Sequence, residues 1–239
     1  MKDETPGSFY HGRIRVLQNR TGYRFSVDAP LLADFIRTRP GDELVDLGTG
    51  SGIIPLLLSI KPFRKIIAVE IQAGLAALAR RNVALNGLEA RVEVVEADIR
   101  TFDPGRRFDV VFSNPPYIRG KAGRLSDIEE KSVAKHEIKC DIFDIMRATR
   151  ALLRDDGRAC FIYPERRRKD FVEAMNAQGL KLGISRDVRP REDAGPNLFL
   201  AECNLHSPAA EVLPPFILFG PDGRYTAEAE AVFSGRAAG

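Results

Sequence analysis

The sequence predicts an α/β fold in which a parallel sheet is covered by helices on both faces. From residue 42 onward, short apolar runs alternate with helical patterns, as they do in doubly wound proteins. A glycine-rich turn follows the first of these runs. The run Phe108–Ser113 is apolar, β-branched and aromatic, which is typical of a buried parallel strand. A chain of 239 residues that is 44% hydrophobic can bury one substantial core.

The first 40 residues precede the alternating pattern. Residues 13–17 alternate between basic and apolar side chains, which predicts an edge strand. A helix is predicted over residues 29–36, because Pro30 lies in its first turn and an acid comes just before it. We therefore expect an N-terminal segment with one helix over residues 1–40, followed by a single compact domain over residues 41–239.

The alternating region is expected to contain seven strands and four helices. The predicted strands are residues 43–47, 65–70, 92–95, 108–113, 158–163, 180–188 and 197–203. The predicted helices are residues 53–60, 72–86, 138–153 and 165–178. Residues 118–137 are rich in glycine and charge without periodicity, so we expect a functional lid or a disordered loop there.

Composition excludes several classes of protein. The three cysteines are widely spaced and never form a Cys-x-x-Cys pair, which argues against a disulfide framework or a zinc site. The three histidines are equally scattered, so no metal is expected. No apolar run is long enough to span a membrane, and the N-terminus lacks a signal-peptide core. We expect a cytoplasmic protein, whose net charge of +3 permits a nucleic-acid partner without requiring one.

The turn after the first strand of the alternating region has the chemistry of a ligand site. Its glycines, Gly48, Gly50 and Gly52, are one residue more closely spaced than the dinucleotide fingerprint. Backbone amides and a helix dipole can meet a ligand at such a turn. Asp46 precedes the first glycine by two residues, and a carboxylate at that position favours a cationic ligand over a pyrophosphate.

The next three strands also end in groups suited to a ligand, at the edge of the sheet where α/β proteins bind theirs. Glu70 can accept hydrogen bonds from both hydroxyls of a ribose. Asp98 can hold an adenine amine, and Ile99 can cover the ring. The fourth strand ends in Asn114-Pro115-Pro116-Tyr117, a stiff turn in which neither proline can donate a backbone hydrogen bond.

In their order along the chain, these motifs resemble those of class I S-adenosylmethionine-dependent methyltransferases of the Asn-Pro-Pro-Tyr subgroup, which methylate planar nitrogens. The resemblance covers about residues 23–205. It implies a Rossmann-like, seven-stranded, doubly wound sheet with the last strand antiparallel. Residues 23–28 and 213–226 are similar to segments of the bacterial tRNA1(Val) (adenine-37-N6)-methyltransferases, although Ser26-Val27-Asp28 stands where the best-known members have Gly-Thr-Asp.

The resemblance implies S-adenosylmethionine as cofactor and assigns three sets of residues. The implied cofactor contacts are Phe25, Ser26, Asp28, Asp46, Gly48, Thr49, Gly50, Gly52, Glu70, Ile71, Asp98, Ile99 and Asn114. The implied catalytic residues are Asn114, Pro115, Pro116 and Tyr117. We call residues 114–117 the acceptor turn. The expected RNA contacts lie in this turn or directly after it: Tyr117, Arg119, Lys121 and Arg124.

The predicted function is methylation of the exocyclic N6 of adenine in RNA, with tRNA as the partner and tRNA1(Val) adenine-37 as the favoured target. Alternatives within the same chemistry are a protein glutamine amide, a ribosomal RNA guanine and a DNA adenine. A nucleotide-dependent oxidoreductase and a non-catalytic binding module are further alternatives. Arginine clusters at 166–169, 186–191 and 147–154 are either solvated faces or a phosphate-binding rim. The sequence leaves monomer and dimer both open.

Overall fold

The computed structural model describes residues 4–19, 27–115 and 140–236. The strands are β1 (Glu4–Phe9), β2 (Ile14–Asn19), β3 (Glu43–Leu47), β4 (Lys65–Glu70), β5 (Val92–Glu96), β6 (Phe108–Ser113), β7 (Leu153–Pro164), β8 (Lys181–Arg189), β9 (Leu198–Asn204) and β10 (Glu211–Ile217). The helices are α1 (Asp28–Phe35), α2 (Ile53–Leu58), α3 (Ala73–Leu85), α4 (Ile142–Leu152), α5 (Arg168–Ala177) and α6 (Ala227–Ser234). A single 3₁₀ turn, Glu165–Arg167, leads into α5.

The large sheet has the strand order β10-β8-β9-β7-β6-β3-β4-β5. β3 pairs in parallel with both β4 and β6, so the strand order reverses there. β9 is antiparallel to both of its neighbours, β7 and β8. The doubly wound sheet with an antiparallel seventh strand is therefore confirmed. In such a sheet, ligands bind in the crevice where the order reverses.

The predicted count of seven strands is too low, because β10 pairs in parallel with β8 and adds an eighth. Its sequence contains Pro214 and Pro215, and the register shifts between Leu213 and Phe216. Prolines cannot donate to a ladder, but they are tolerated in a strand that has a neighbour on one side only. Near the N-terminus, the predicted strand is β2, which forms a separate antiparallel hairpin with β1.

Helices cover both faces of the sheet and produce two cores. Leu44, Val110 and Phe112 pack on one face with residues of α1 and α2. Val45 and Val111 pack on the other face with residues of α4 and α5. All five residues of β3 are buried, including Glu43 and Asp46, so both faces of this central strand are covered.

Helix starts follow local capping chemistry. α4 begins at Ile142 because Asp141 caps it: the Asp141 carboxylate accepts a hydrogen bond from the Asp144 amide, and the Asp144 carboxylate accepts one from the Asp141 amide. Within the described parts of the chain, none of the helices has the length and apolar character that crossing a membrane requires. All three cysteines are free thiols.

Candidate active site

The glycine turn, residues 46–52, joins β3 to α2 and is tied to β4 by backbone hydrogen bonds. The amides of Gly48 and Thr49 both donate to the Val69 carbonyl, at 3.0 and 2.9 Å. Gly52 has a φ of +83°, and a Cβ placed there would lie 3.2 Å from the Cβ of Ala79 in α3. The turn therefore needs glycine at this position both for its backbone conformation and for close packing against α3.

Asp46 lies at the centre of this turn and is fully buried. Its Oδ2 accepts a hydrogen bond of 2.6 Å from the Thr49 hydroxyl, and its Oδ1 has no hydrogen-bond partner among the described residues. Burial raises the pKa of Asp46 to about 7; the Thr49 hydroxyl lowers the pKa, and the charge of Glu70 raises it further. Among the described residues, no cation therefore compensates the charge of this carboxylate.

Glu70, the last residue of β4, holds the turn from the other side. Its two oxygens accept hydrogen bonds from the amides of Gly50, at 2.8 Å, and Gln72, at 2.9 Å. Burial raises the pKa of Glu70, and hydrogen bonds from the Gln72, Gly50 and Ile71 amides counteract that rise. Each carboxylate oxygen has a further lone pair, so Glu70 can still accept hydrogen bonds from a ligand.

Asp98 follows β5, and its carboxylate is bound by a neighbouring side chain rather than open. The Arg100 guanidinium donates from Nε to Oδ1 at 3.0 Å and from Nη2 to Oδ2 at 2.6 Å, and the Arg100 amide also donates to Oδ1. These hydrogen bonds hold the pKa of Asp98 below its ordinary value. Ile99 packs against the core on the α4 side of the sheet.

The acceptor turn begins at the end of β6, directly beside the glycine turn. Asp46 and Phe112 are register partners in β3 and β6, and the Ser113 hydroxyl donates to the Leu47 carbonyl at 2.6 Å. Asn114 is half-buried and Pro115 is buried. The structure therefore brings Asn114 and Asp46 to the two sides of the crevice where the strand order reverses.

Several predicted site residues fall outside the described parts of the chain. They are Phe25, Ser26, Pro116, Tyr117, Arg119, Lys121 and Arg124. Asp28 is described: it is the first residue of α1 and is buried. Within the described residues, no group of three or more histidine, cysteine and acidic side chains could hold a metal ion.

Sequence reasoning missed two asparagines that connect the N-terminal hairpin to α3: Asn82, within the helix, and Asn86, which follows its last residue. Asn82 is fully buried; its Oδ1 accepts from the Leu17 amide at 2.7 Å, and its Nδ2 donates to the carbonyls of Leu17 and Ser51. Asn86, one helical turn later, pairs in the same way with the amide and carbonyl of Arg15. Only Asn82 reaches the glycine turn. Their spacing of four residues, which places both side chains on one face of a helix, was the only feature of the sequence that could have indicated this contact.

The arginine clusters separate into paired and unpaired members. Arg168 binds Glu165 and Asp187 and lies over the Phe199 ring, whereas Arg186 binds Glu228 and the Pro214 carbonyl. Arg154 and Arg147 pair with Asp109 and Asp144. These four arginines serve the fold. By contrast, no ion pair within the described residues involves Arg166, Arg189 or Arg191.

Residues 24–138 match the family described as Methyltransferase small domain. Relatives extend the likeness over most of the chain. A protein of Vibrio cholerae serotype O1 (strain M66-2), named tRNA1(Val) (adenine(37)-N6)-methyltransferase, is 27% identical over 199 residues, which is 83% of this chain and 82% of its own. A protein of the same name from Tolumonas auensis is 26% identical over 223 residues, 92% of each chain.

Solved structures share the fold. A predicted O-methyltransferase from Agrobacterium tumefaciens superposes with a TM-score of 0.70 at 21% identity, covering 89% of this chain and 98% of its own. TrmN from Thermus thermophilus superposes with a TM-score of 0.52 at 22% identity, covering 74% of this chain and 47% of its own. At these identities the likeness concerns the fold.

Proposed function

We propose that the protein transfers a methyl group from S-adenosylmethionine to the exocyclic N6 of an adenine in tRNA, which the match of residues 24–138 to the Methyltransferase small domain family supports. One observation carries the proposal. The buried carboxylate of Asp46, which has no cationic partner among the described residues, lies across the crevice from Asn114. The crevice therefore has an acidic group that suits the cationic cofactor on one side and an amide that suits the methyl acceptor on the other. The relatives named for adenine-37 of tRNA1(Val) support that base as the target.

The residues of the glycine turn fit S-adenosylmethionine. Oδ1 of Asp46 is a buried acceptor without a partner among the described residues, which suits a cationic ligand. A Cβ added to Gly48 or Gly50 would meet nothing within 4 Å, so the outer side of the turn has space against the backbone. Glu70 retains lone pairs for ribose hydroxyls. Of the three acidic residues, Asp98 is the least accessible to a ligand, because an adenine amine would have to share its carboxylate with Arg100.

The chemistry of the acceptor side requires orientation more than proton transfer. S-adenosylmethionine, when bound, supplies a methyl group on a sulfonium sulfur, and transfer to the amine nitrogen leaves a neutral thioether. The Asn114 side-chain oxygen and the Pro115 carbonyl each accept one hydrogen of the adenine amine, which turns the nitrogen lone pair toward the methyl carbon. Orientation of this kind supplies roughly 7–11 kcal/mol in well-aligned systems. The extra proton then leaves to water.

We assign the remaining roles on the same basis. The proposed cofactor contacts are Phe25, Ser26, Asp28, Asp46, Gly48, Thr49, Gly50, Gly52, Glu70, Ile71, Asp98, Ile99 and Asn114. Pro116 fixes the acceptor turn, and Tyr117 stacks on the flipped base. Arg119, Lys121 and Arg124 contact the RNA backbone. Residues 1–40 form the segment that covers the cofactor, and residues 41–239 form the catalytic domain. A tRNA substrate places the protein in the cytoplasm.

Methyl transfer to separated cellular fractions tests the proposal. The purified protein is incubated with tritiated S-adenosylmethionine and with tRNA, ribosomal RNA, DNA or protein from cells that lack the gene. We expect label in the tRNA fraction, at N6 of one adenine after nuclease digestion and mapping. Label in a glutamine amide, a guanine or DNA instead would contradict the assigned acceptor, and absence of cofactor binding by calorimetry would contradict the reaction class.

A further inference from the structure

The carboxyl-terminal edge of the large sheet is divided by charge. At the ends of β3, β4 and β5 lie the acidic groups Asp46, Glu70 and Asp98. On the far side of β6, the strand ends carry arginines instead: Arg166 follows β7, and Arg189 and Arg191 belong to the end of β8 and the loop after it. The acceptor turn at the end of β6 lies at the boundary between the two halves.

Hydrogen bonds join the strand ends of the basic half into one continuous row. The Glu165 amide donates to the Asn197 carbonyl at 2.9 Å, and the Asn197 amide donates to the Val188 carbonyl at 3.0 Å. The Leu218 amide then donates to the Arg189 carbonyl at 3.0 Å. The segments after β7, before β9, after β8 and after β10 therefore lie side by side along this edge of the sheet.

The arginines of this row are free to bind a ligand. Arg166 and Arg191 are exposed, and no ion pair within the described residues involves either of them. Arg189 is half-buried, and its Nε is buried without a hydrogen-bond partner. The half-buried Arg189 has no ion pair among the described residues, and a guanidinium without a carboxylate partner is suited to bind a phosphate.

An exposed aromatic ring completes the row beyond β10. Tyr225 is 42% exposed and is the one aromatic side chain of the described residues among the exposed large apolar groups. It stacks on Phe219 at a centroid distance of 5.0 Å and leans on Phe233, so its ring is held in a fixed orientation. Arg224 beside it is almost fully exposed and only 4.0 Å from Asp222.

We propose that Arg166, Arg189, Arg191, Arg224 and Tyr225, the basic row, form the docking surface for the RNA segment that flanks the methylated base. This inference rests on the proposed function. Arginines bind phosphates and an exposed ring stacks a base, which is the combination that single-stranded RNA requires. Four strand spacings separate β6 from β10, about 19 Å along the sheet. The row therefore extends over a few nucleotides on one side of the acceptor turn.

Acidic side chains lie between the arginines of this surface, so we expect each arginine to bind a phosphate individually. Glu192 and Asp193 follow Arg191 in the same exposed loop, and Asp222 lies near Arg224. The row is therefore not a uniformly positive field that would attract any polyanion. It offers separate arginines along the edge of the sheet, and we expect it to select RNA by the position of its phosphates relative to the flipped base.

A charge-matched pair of triple variants tests the docking surface. The first is Arg166→Gln/Arg189→Gln/Arg191→Gln, and the control is Arg39→Gln/Arg64→Gln/Arg107→Gln at the amino-terminal edge of the sheet, which leaves Glu43 paired with Arg106 and Arg154. Binding of unmodified tRNA1(Val) transcript is measured by fluorescence anisotropy across a range of KCl concentrations. For the first variant we expect at least tenfold weaker binding at 0.1 M KCl, and a slope of log Kd against log salt smaller by about 2. The control keeps the wild-type slope.

Kinetics and a single substitution refine the test. The first variant should raise KM for tRNA and leave kcat at saturating tRNA and cofactor affinity by calorimetry unchanged. Tyr225→Leu should weaken RNA binding about tenfold, whereas Tyr225→Phe should bind as wild type. Wild-type binding and salt slope in the first triple variant, or equal losses in the control, would overturn the docking surface while RNA methylation persisted. Absence of RNA methylation by the wild-type protein would overturn the proposed function instead.

Discussion

The two edges of the large sheet differ in how completely their charges are paired. At the amino-terminal edge, acids and bases are paired with each other: Arg37–Glu202, Arg64–Glu43, Lys65–Glu93, Arg107–Asp155, Arg154–Asp109 and Arg158–Asp42. At the carboxyl-terminal edge, Asp46 is buried without a cationic partner among the described residues, and Arg189 keeps a buried nitrogen without an acceptor. The paired charges of the amino-terminal edge stabilise the fold. The unpaired charges of the carboxyl-terminal edge are available to bind ligands, and they lower the stability of the folded state.

Breaking a pair at the amino-terminal edge should give the largest effect. Arg158 is the best buried of these arginines and binds Asp42 at 2.6 Å and the Arg37 carbonyl. Arg158→Ala leaves Asp42 buried without its cation, so we expect the free energy of unfolding to fall by about 3–5 kcal/mol in urea titrations. Arg107→Ala, whose pair with Asp155 is exposed, should change stability by less than about 1 kcal/mol.

Removing the charge at the carboxyl-terminal edge should have the opposite sign. Burial raises the pKa of Asp46 to about 7, above its value in the unfolded chain. As pH rises from about 4 to 7, the unfolded state loses this proton first, so stability falls and the cost is complete above pH 7. Asp46→Asn removes the cost of burying this charge and should raise the free energy of unfolding at pH 8 by up to roughly 4 kcal/mol.

Asp46→Asn should also weaken cofactor binding. A loss of affinity together with a gain in stability would show that the charge of Asp46 serves binding rather than folding. A cationic ligand favours the ionised carboxylate, so wild-type affinity for S-adenosylmethionine should rise by about tenfold between pH 6 and pH 8 and then level off. Calorimetry of Asp46→Asn should show weaker binding and no such rise. A variant that gained stability and kept wild-type affinity would exclude Asp46 from the cofactor site.

Asn114 should matter for the reaction rather than for binding or stability. Asn114→Ala removes one of the two proposed acceptors for the amine, and misorientation of a reacting group costs roughly 100-fold in rate. We expect kcat to fall by about this factor in methyl-transfer assays, with cofactor affinity by calorimetry unchanged. Retention of wild-type kcat would remove Asn114 from the acceptor side.

A further pair of variants should distinguish Asn82 of α3 from Asn86, which follows that helix. Asn82→Ala leaves three backbone groups of Leu17 and Ser51 without a partner and should cost about 1–3 kcal/mol. Because Ser51 belongs to the glycine turn, the dissociation constant for S-adenosylmethionine should also rise severalfold. Asn86→Ala should weaken the hairpin alone, and an equal loss of affinity in that variant would show that the hairpin itself binds the cofactor.

The sequence predicted best those elements whose signal is local. The observed bounds of β3, β4 and β6 coincide with the predicted ones, since each strand is a mainly apolar, largely buried segment between turn residues. β1 and β10 contain prolines and were not predicted, because each becomes a strand through its partner rather than through its own propensity.

The site divides in the same manner. Asp46, Glu70 and Asp98 were predictable, since each follows a recognisable strand and the fold brings strand ends together. Asn82 was not, because its partners lie 65 and 31 residues away. Nor could adjacency in sequence separate the arginines. Arg168 finds Asp187 on β8 across the fold, whereas Arg166, two residues earlier, points to solvent without an ion pair among the described residues.

The prolines of β10 have a consequence for the chain in a crowded cell. An outermost strand usually offers unpaired amides to any extended segment that meets it, and sheets grow into aggregates by this route. In a strand, consecutive amides point to opposite sides, so of Pro214 and Pro215 one removes an outward donor whichever way the strand is turned. Both prolines are exposed. β10 thus protects its side of the sheet against edge-to-edge growth, and the chain that follows this strand carries Tyr225.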